Sequence, residues 1–202
     1  MSVLEDPGVR LEHPCYRLSR VTATVLAVLL VAGIADGAVG YARRSPTTGQ
    51  HVAGTNAITV HVLIAAAAAA ALVTIQARRS RQPAGQRGPS PWAAPFSAAA
   101  ASRLRQTIRL TGGLSLPNLA RAAAAVPLVL VLLYTPFRMG QQITGGLDPN
   151  ATVNAWGGPT YLGALLAHYL DGIASFYAAA FLLSRLLLPA AATGQPVSHR
   201  NR

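Results

Sequence analysis

Four apolar blocks, at 21–41, 57–76, 119–137 and 161–188, constrain this chain more than any other feature. The hydrocarbon layer of a bilayer is ~30 Å thick, and a helix rising ~1.5 Å per residue crosses it in about twenty residues. The apolar residues run together within these blocks instead of recurring at the spacing of a half-buried helix or strand, which favours membrane spans over a water-soluble core. The expected fold is an all-α integral membrane protein, with four transmembrane helices in an up-down bundle. The fourth block is the longest and should tilt or protrude. The third is short and holds Pro127 and Pro136, tolerated in a membrane helix when neighbouring groups satisfy the freed carbonyls.

Charge orients the bundle. All seventeen basic residues are Arg, which reads as the coding bias of a GC-rich bacterial genome. Segment 1–20 carries Arg10, Arg17 and Arg20. Segment 77–118 carries seven more between Arg78 and Arg109, Arg121 lies just inside the third block, and the carboxyl end has Arg185, Arg200 and Arg202. Grouped on one side these make fourteen, against Arg43, Arg44 and Arg138 in the connections 42–56 and 138–160. The positive-inside rule makes the fourteen cytoplasmic, giving a multi-pass cell-membrane protein with both termini and segment 77–118 inside. A cleaved signal peptide is the rival reading of the first block, but the run is long for one and three acids precede it. The net charge of +11 lies mostly at span ends, where Arg holds helices against phospholipid, so no nucleic-acid partner is expected. Cys15 is the only cysteine, which excludes an intramolecular disulfide and cysteine-rich metal sites.

Within segment 77–118, residues 80–96 are broken so often by Pro and Gly that they read as a linker. Residues 97–111 then fit a basic amphipathic helix ended by Gly112 and Gly113. Ala101, Leu104 and Ile108 would share one face, and Arg103, Arg105 and Arg109 would meet anionic lipid head groups. A plain solvated helix is the alternative. Segment 138–160 is polar, nearly uncharged and longer than a hairpin needs, so it could cover something on the outer face. Its Trp156, with Tyr161, is more simply part of an interfacial aromatic belt, and the 189–202 tail holds no motif.

Chemistry concentrates in four ionisable residues inside the blocks: Asp36, His61, His168 and Asp171. Charge in a membrane is costly, so such residues face protein or water, and all four fall in the outer half of one bundle. In the fourth block, Tyr161, Ala164, His168, Asp171, Gly172, Ser175 and Ala179 form a small and polar stripe expected to face inward, with Leu162, Leu166, Leu170, Ile173 and Tyr177 toward lipid. Gly33 and Gly37 form a GxxxG pair with Gly40 one turn beyond Asp36, a pattern that lets helices approach closely.

Several roles fit this candidate intramembrane site of Asp36, His61, His168, Asp171 and Ser175. Asp36, His61, His168 and Asp171 could bind a divalent metal, or the two His could ligate a b-type haem, which would suit a membrane redox enzyme. They could handle a proton or solute. They could also be helix glue, with Asp36 paired to His61 and His168 to its i+3 neighbour Asp171. No nucleotide loop, HExxH or GxSxG motif is present. The leading expectation is therefore non-enzymatic: a small bundle handling a solute or proton, or an accessory subunit with a membrane-protein partner. The cofactor, if any, stays unassigned.

Overall fold

The computed structural model describes residues 19–83, 97–109 and 113–187. Segment 1–18, most of the linker, the Gly112 stop signal and the tail beyond 187 lie outside the described residues. The described part is helical, without a strand. Four helices are long and apolar enough to cross a membrane: α1 Arg20–Ala42, α2 Ile58–Ser80, α4 Leu116–Gly145 and α6 Tyr161–Leu186. Between them lie α3 Ala98–Ile108 and the single turn α5 Pro149–Thr152.

Local chemistry sets the helix starts. Ser19 accepts from Thr22 N at 3.2 Å, Ser97 from Ala100 N at 3.0 Å and Thr160 from Gly163 N at 3.1 Å, each satisfying a backbone donor of a first turn. Pro117 sits at the start of α4, where its missing N–H costs nothing. Pro136 lies inside that helix, and the neighbouring Thr135 turns its hydroxyl onto Val131 O at 2.7 Å.

The third span is where the expected boundaries differ most. Helix α4 runs past 137 through RMGQQITG to Gly145. This stretch lacks proline, and its polar side chains find partners on neighbouring helices, so nothing stops the helix before the Gly145–Gly146 pair. Arg138 and Gln141, expected in an external loop, are therefore helical residues.

Of the successive spans, only α4 and α6 pack extensively on each other. Helix α1 packs most extensively on α4, α4 on α6, and α2 more lightly on α6, with no comparable contact between α1 and α2. The α1–α4 seam is made of glycine. A Cβ at Gly33 would collide with the Phe137 carbonyl, one at Gly37 with the Gln141 carbonyl, and one at Gly140 with the Leu30 carbonyl. Such contact between backbones is the usual basis of helix association in lipid, where no hydrophobic force separates protein from solvent. Thr144 Oγ1 adds a bond to Ile34 O at 2.7 Å. Gly40, expected in the same role, does not pack: a Cβ there would meet nothing within 4 Å.

At the opposite end, α3 folds against α4 and α6. Leu104 packs with Leu128, Val129 and Leu132 around buried Ala125, Leu183 and Leu187. Arg103 donates to Leu187 O at 3.0 Å and Ser184 O at 3.4 Å, supplying donors to the last carbonyls of α6. Arg103 thus caps the end of α6, a role beyond the lipid contact expected of it, whereas Arg105 and Arg109 are exposed. Thr107 is buried and Ile108 exposed, so the inward face is rotated from the Ala101–Leu104–Ile108 line. Thr107 can turn inward because its hydroxyl bonds back to Arg103 O at 2.9 Å.

Candidate functional site

The four intramembrane residues separate into two groups, because α1 pairs with α4 while α2 pairs with α6. The first group is a hydrogen-bonded row across α6, α4 and α1. His168 Nδ1 donates to Ala164 O at 2.9 Å, leaving Nε2 to accept from Arg138 Nη2 at 3.0 Å. With one nitrogen donating and the other accepting from a guanidinium, His168 is neutral in this arrangement. Arg138 Nη1 donates to Gln141 Oε1 at 2.9 Å, and Gln141 Nε2 donates to Asp36 Oδ2 at 2.7 Å. Arg138 and Gln141 are i, i+3 neighbours on α4, so the extension of that helix is what completes the row.

The second group is His61 and Asp171. His61 Nδ1 faces Ala57 O at 2.9 Å and its Nε2 faces Asp171 Oδ2 at 3.0 Å. Both ring nitrogens thus meet oxygen acceptors. The two bonds require two protons in the pair, one on Nδ1 and one between Nε2 and Oδ2, so its net charge is zero wherever the second proton resides. His61 is buried and the Asp171 side chain half-exposed. Trp156 leans on the imidazole with ring centroids 6.2 Å apart, while its carbonyl accepts from Ala57 N at 2.6 Å. Trp156 nevertheless remains 66% exposed, which suits an interfacial aromatic as well as a cover for His61. Tyr161, its expected belt partner, donates to Ile143 O at 3.0 Å and ties α6 to α4.

These partners differ from the Asp36–His61 and His168–Asp171 pairs that spacing suggests. The proposed four-residue metal set is not assembled: among the described residues no three His, Cys, Asp or Glu side chains converge to hold an ion. For a haem, each His would have to release the Nε2 partner it has here. Ser175 is exposed on α6 and does not join either group.

The Asp36 row opens into a cleft of about 500 Å³ between the carboxyl-terminal ends of α1 and α4. Asp36, Arg43, Arg138, Gln141, Gln142 and Asp148 supply its polar wall. Gly40 faces this space, with nothing within 4 Å of a Cβ placed there, while Gly37 and Gly145 pack on each other at its edge. One turn earlier along α1, the Gly33–Phe137 contact brings the two backbones together.

The loops above are joined by asparagine. Asn150 accepts from Gly49 N at 2.8 Å and donates to Ser45 O at 3.4 Å. Asn154 accepts from Val52 N at 2.7 Å and donates to Gln50 O at 3.3 Å, and His51 Nδ1 bonds Val153 O at 2.7 Å. This clasp links the α1–α2 connection to the α4–α6 connection, and Asp148 and Ala151 of the latter line the cleft. The expectation that segment 138–160 covers something identified the region without its partner. Arg138, Gln141, Arg43 and Asp148 are not marked as site residues by hydropathy, which places all four in connections between spans. The available signal was the i, i+3, i+4 polar spacing of Arg138, Gln141 and Gln142 directly after an apolar run.

No protein-family profile, curated protein or solved structure matches this chain.

Proposed function

We propose that the chain is a multi-pass cell-membrane protein, with both termini cytoplasmic, that binds a small polar solute in the α1–α4 cleft at its outer face. The observation that carries this reading is the cleft itself: a space of about 500 Å³ walled by charged and carboxamide side chains. A space of that volume lies within the range of small-molecule sites. Charged groups within or beside a bilayer are costly, and a solute-exchanging cleft is a common reason for them. Orientation rests on the Arg asymmetry.

Two experiments test this reading. In a background lacking Cys15, Thr48→Cys should react with an impermeant thiol reagent in intact cells and Gln86→Cys should not; the reverse places the cleft inside. Purified protein screened against small charged solutes should show a rise in unfolding temperature with at least one of them, and Gly40→Leu, which fills the cleft, should remove that rise. A response unchanged by Gly40→Leu would place binding elsewhere.

Helix α2 supports a second reading, that of an accessory subunit. His61 is its only buried residue, and Val62, Leu63, Leu72 and Val73 are exposed along with most of its alanines. Small side chains allow close approach in lipid, so a partner helix could seat there. Crosslinking through Leu72→Cys to another polypeptide in native membranes would favour it.

A further inference from the structure

We infer that the cleft takes a zwitterionic ligand, one small molecule carrying an ammonium and a phosphate or carboxylate, with Asp36 holding the ammonium and Arg43 the anionic group. This rests on the cleft being a binding site and names what it selects. Its wall contains two carboxylates, Asp36 and Asp148, and two guanidiniums, Arg43 and Arg138. Among the described residues none of these four forms an ion pair with another; the ion pair present is His61–Asp171. Three of these opposite charges are held in place by other bonds. Gln141 stands between Arg138 and Asp36, Arg138 is also committed to His168, and Asp148 caps α5 by accepting from Asn150 N at 2.9 Å.

Two groups keep spare valence. The hydrogen bond to Asp36 uses Oδ2 and leaves Oδ1 open, and the Arg43 guanidinium donates to no partner among the described residues. They stand seven residues apart on α1, about two turns or ~10 Å along one face. Gly40 lies between them, and its bare Cα leaves room for the body of a ligand. The four charged side chains sum to zero. A lone anion or cation therefore meets repulsion as well as attraction, whereas a dipolar ligand aligned from Asp36 to Arg43 is attracted at both ends. Such a ligand could be a soluble zwitterion or the head group of an ethanolamine phospholipid, since the cleft lies at the end of the bundle.

The test uses the full chain in detergent, titrated with glycerophosphoethanolamine, inorganic phosphate and ethanolamine. Glycerophosphoethanolamine should bind and raise the unfolding temperature, and the two fragments should bind at least tenfold more weakly. Asp36→Asn and Arg43→Gln should each reduce affinity at least tenfold, and Gly40→Leu should abolish binding in a protein that still unfolds cooperatively. The source is separated by native mass spectrometry from nanodiscs of mixed phosphatidylethanolamine and phosphatidylglycerol. Phosphatidylethanolamine retained by the parent chain and lost from Arg43→Gln indicates a lipid head group, while binding of the soluble probe without lipid retention indicates a free solute. Phosphate or ethanolamine binding as tightly as the zwitterion, and lost in Gly40→Leu, overturns this inference while keeping the cleft as a site. Absence of binding by all three probes and of lipid retention overturns this inference, while the cleft as a solute site is decided separately by the solute screen and its Gly40→Leu control.

Discussion

Asp36 is joined to Arg138 through the carboxamide of Gln141, not by direct ion pairing. The amide turns its oxygen to the cation and its nitrogen to the anion, so a neutral side chain transmits the attraction while holding the two charges apart. This keeps Asp36 at the cleft wall with an oxygen free, and it commits α1, α4 and α6 to a single register.

Gln141→Leu should therefore do more than remove one side chain. It strips a bond from a carboxylate and another from a guanidinium, and bonds to charged groups contribute about 1.5–3 kcal/mol each. A loss of roughly 2 kcal/mol in detergent stability is expected, measured by denaturant or thermal unfolding. Asp36→Asn made in the Gln141→Leu background should cost much less than in the parent chain, because the shared bond is already gone. Fully additive losses would show that the row is not a coupled unit.

The three glycines of α1 should separate cleanly. Gly33→Ala and Gly37→Ala drive a methyl into the α4 backbone, which can yield only by moving the helices apart, and each should cost about 1–3 kcal/mol or more. Gly40→Ala meets open space and should be neutral or stabilising by up to ~1 kcal/mol through helix propensity. Unfolding of the three variants in detergent gives the comparison. A Gly40→Ala loss equal to that of Gly33→Ala would overturn the seam as described.

This contrast shows what was legible in the sequence. Length and hydropathy located all four membrane helices, because the requirement to bury backbone polar groups in lipid leaves long apolar helices as nearly the only solution. The GxxxG spacing located the α1 seam, since small residues at i, i+4 have few other uses there. Pairing was not legible. An Asp and a His in successive spans look like partners only if successive helices touch, and α1 and α2 flank the α4–α6 pair instead. Nothing in α1 marks which span its glycines will meet. Arg138 was misplaced for a related reason: polarity looks like a loop unless the opposing Asp36 and His168 are already known. The polar stripe of α6 reaches Ser175, which is exposed because α2 accompanies that helix only lightly.

The His61–Asp171 pair should behave as a neutral unit. His61→Leu leaves Asp171 without its partner, and Asp171→Leu leaves the buried imidazole with an unmet nitrogen. The second should cost about 1–3 kcal/mol, the usual penalty for orphaning a buried polar group, and the first less, because water reaches the half-exposed Asp171 carboxylate. The double change removes both polar groups and should recover part of the loss. A thermal double-mutant cycle reads this, with trypsin cleavage after Arg78 reporting whether α2 has loosened from α6. Double-mutant losses equal to the sum of the singles would mean the two residues do not depend on each other.

The last prediction divides the three arginines of α3. Arg103 donates to carbonyls at the end of α6, whereas Arg105 and Arg109 are exposed beside Ile108. A donor that completes a helix terminus acts through folding, so Arg103→Gln should lower the unfolding temperature by a few degrees in any detergent or lipid. Its effect should be equivalent to about 1–2 kcal/mol. Exposed cations act through the lipid surface at about 1 kcal/mol each, an effect that salt screens. Arg105→Gln with Arg109→Gln should leave detergent stability unchanged. A fluorophore at Ile108→Cys, in a Cys15-free chain in anionic nanodiscs, should then shift to longer wavelength as α3 moves away from the membrane, and high salt should reproduce that shift in the parent. The same fluorescence in neutral and anionic nanodiscs, insensitive to both changes, would show that α3 is held by Leu104 and Arg103 alone.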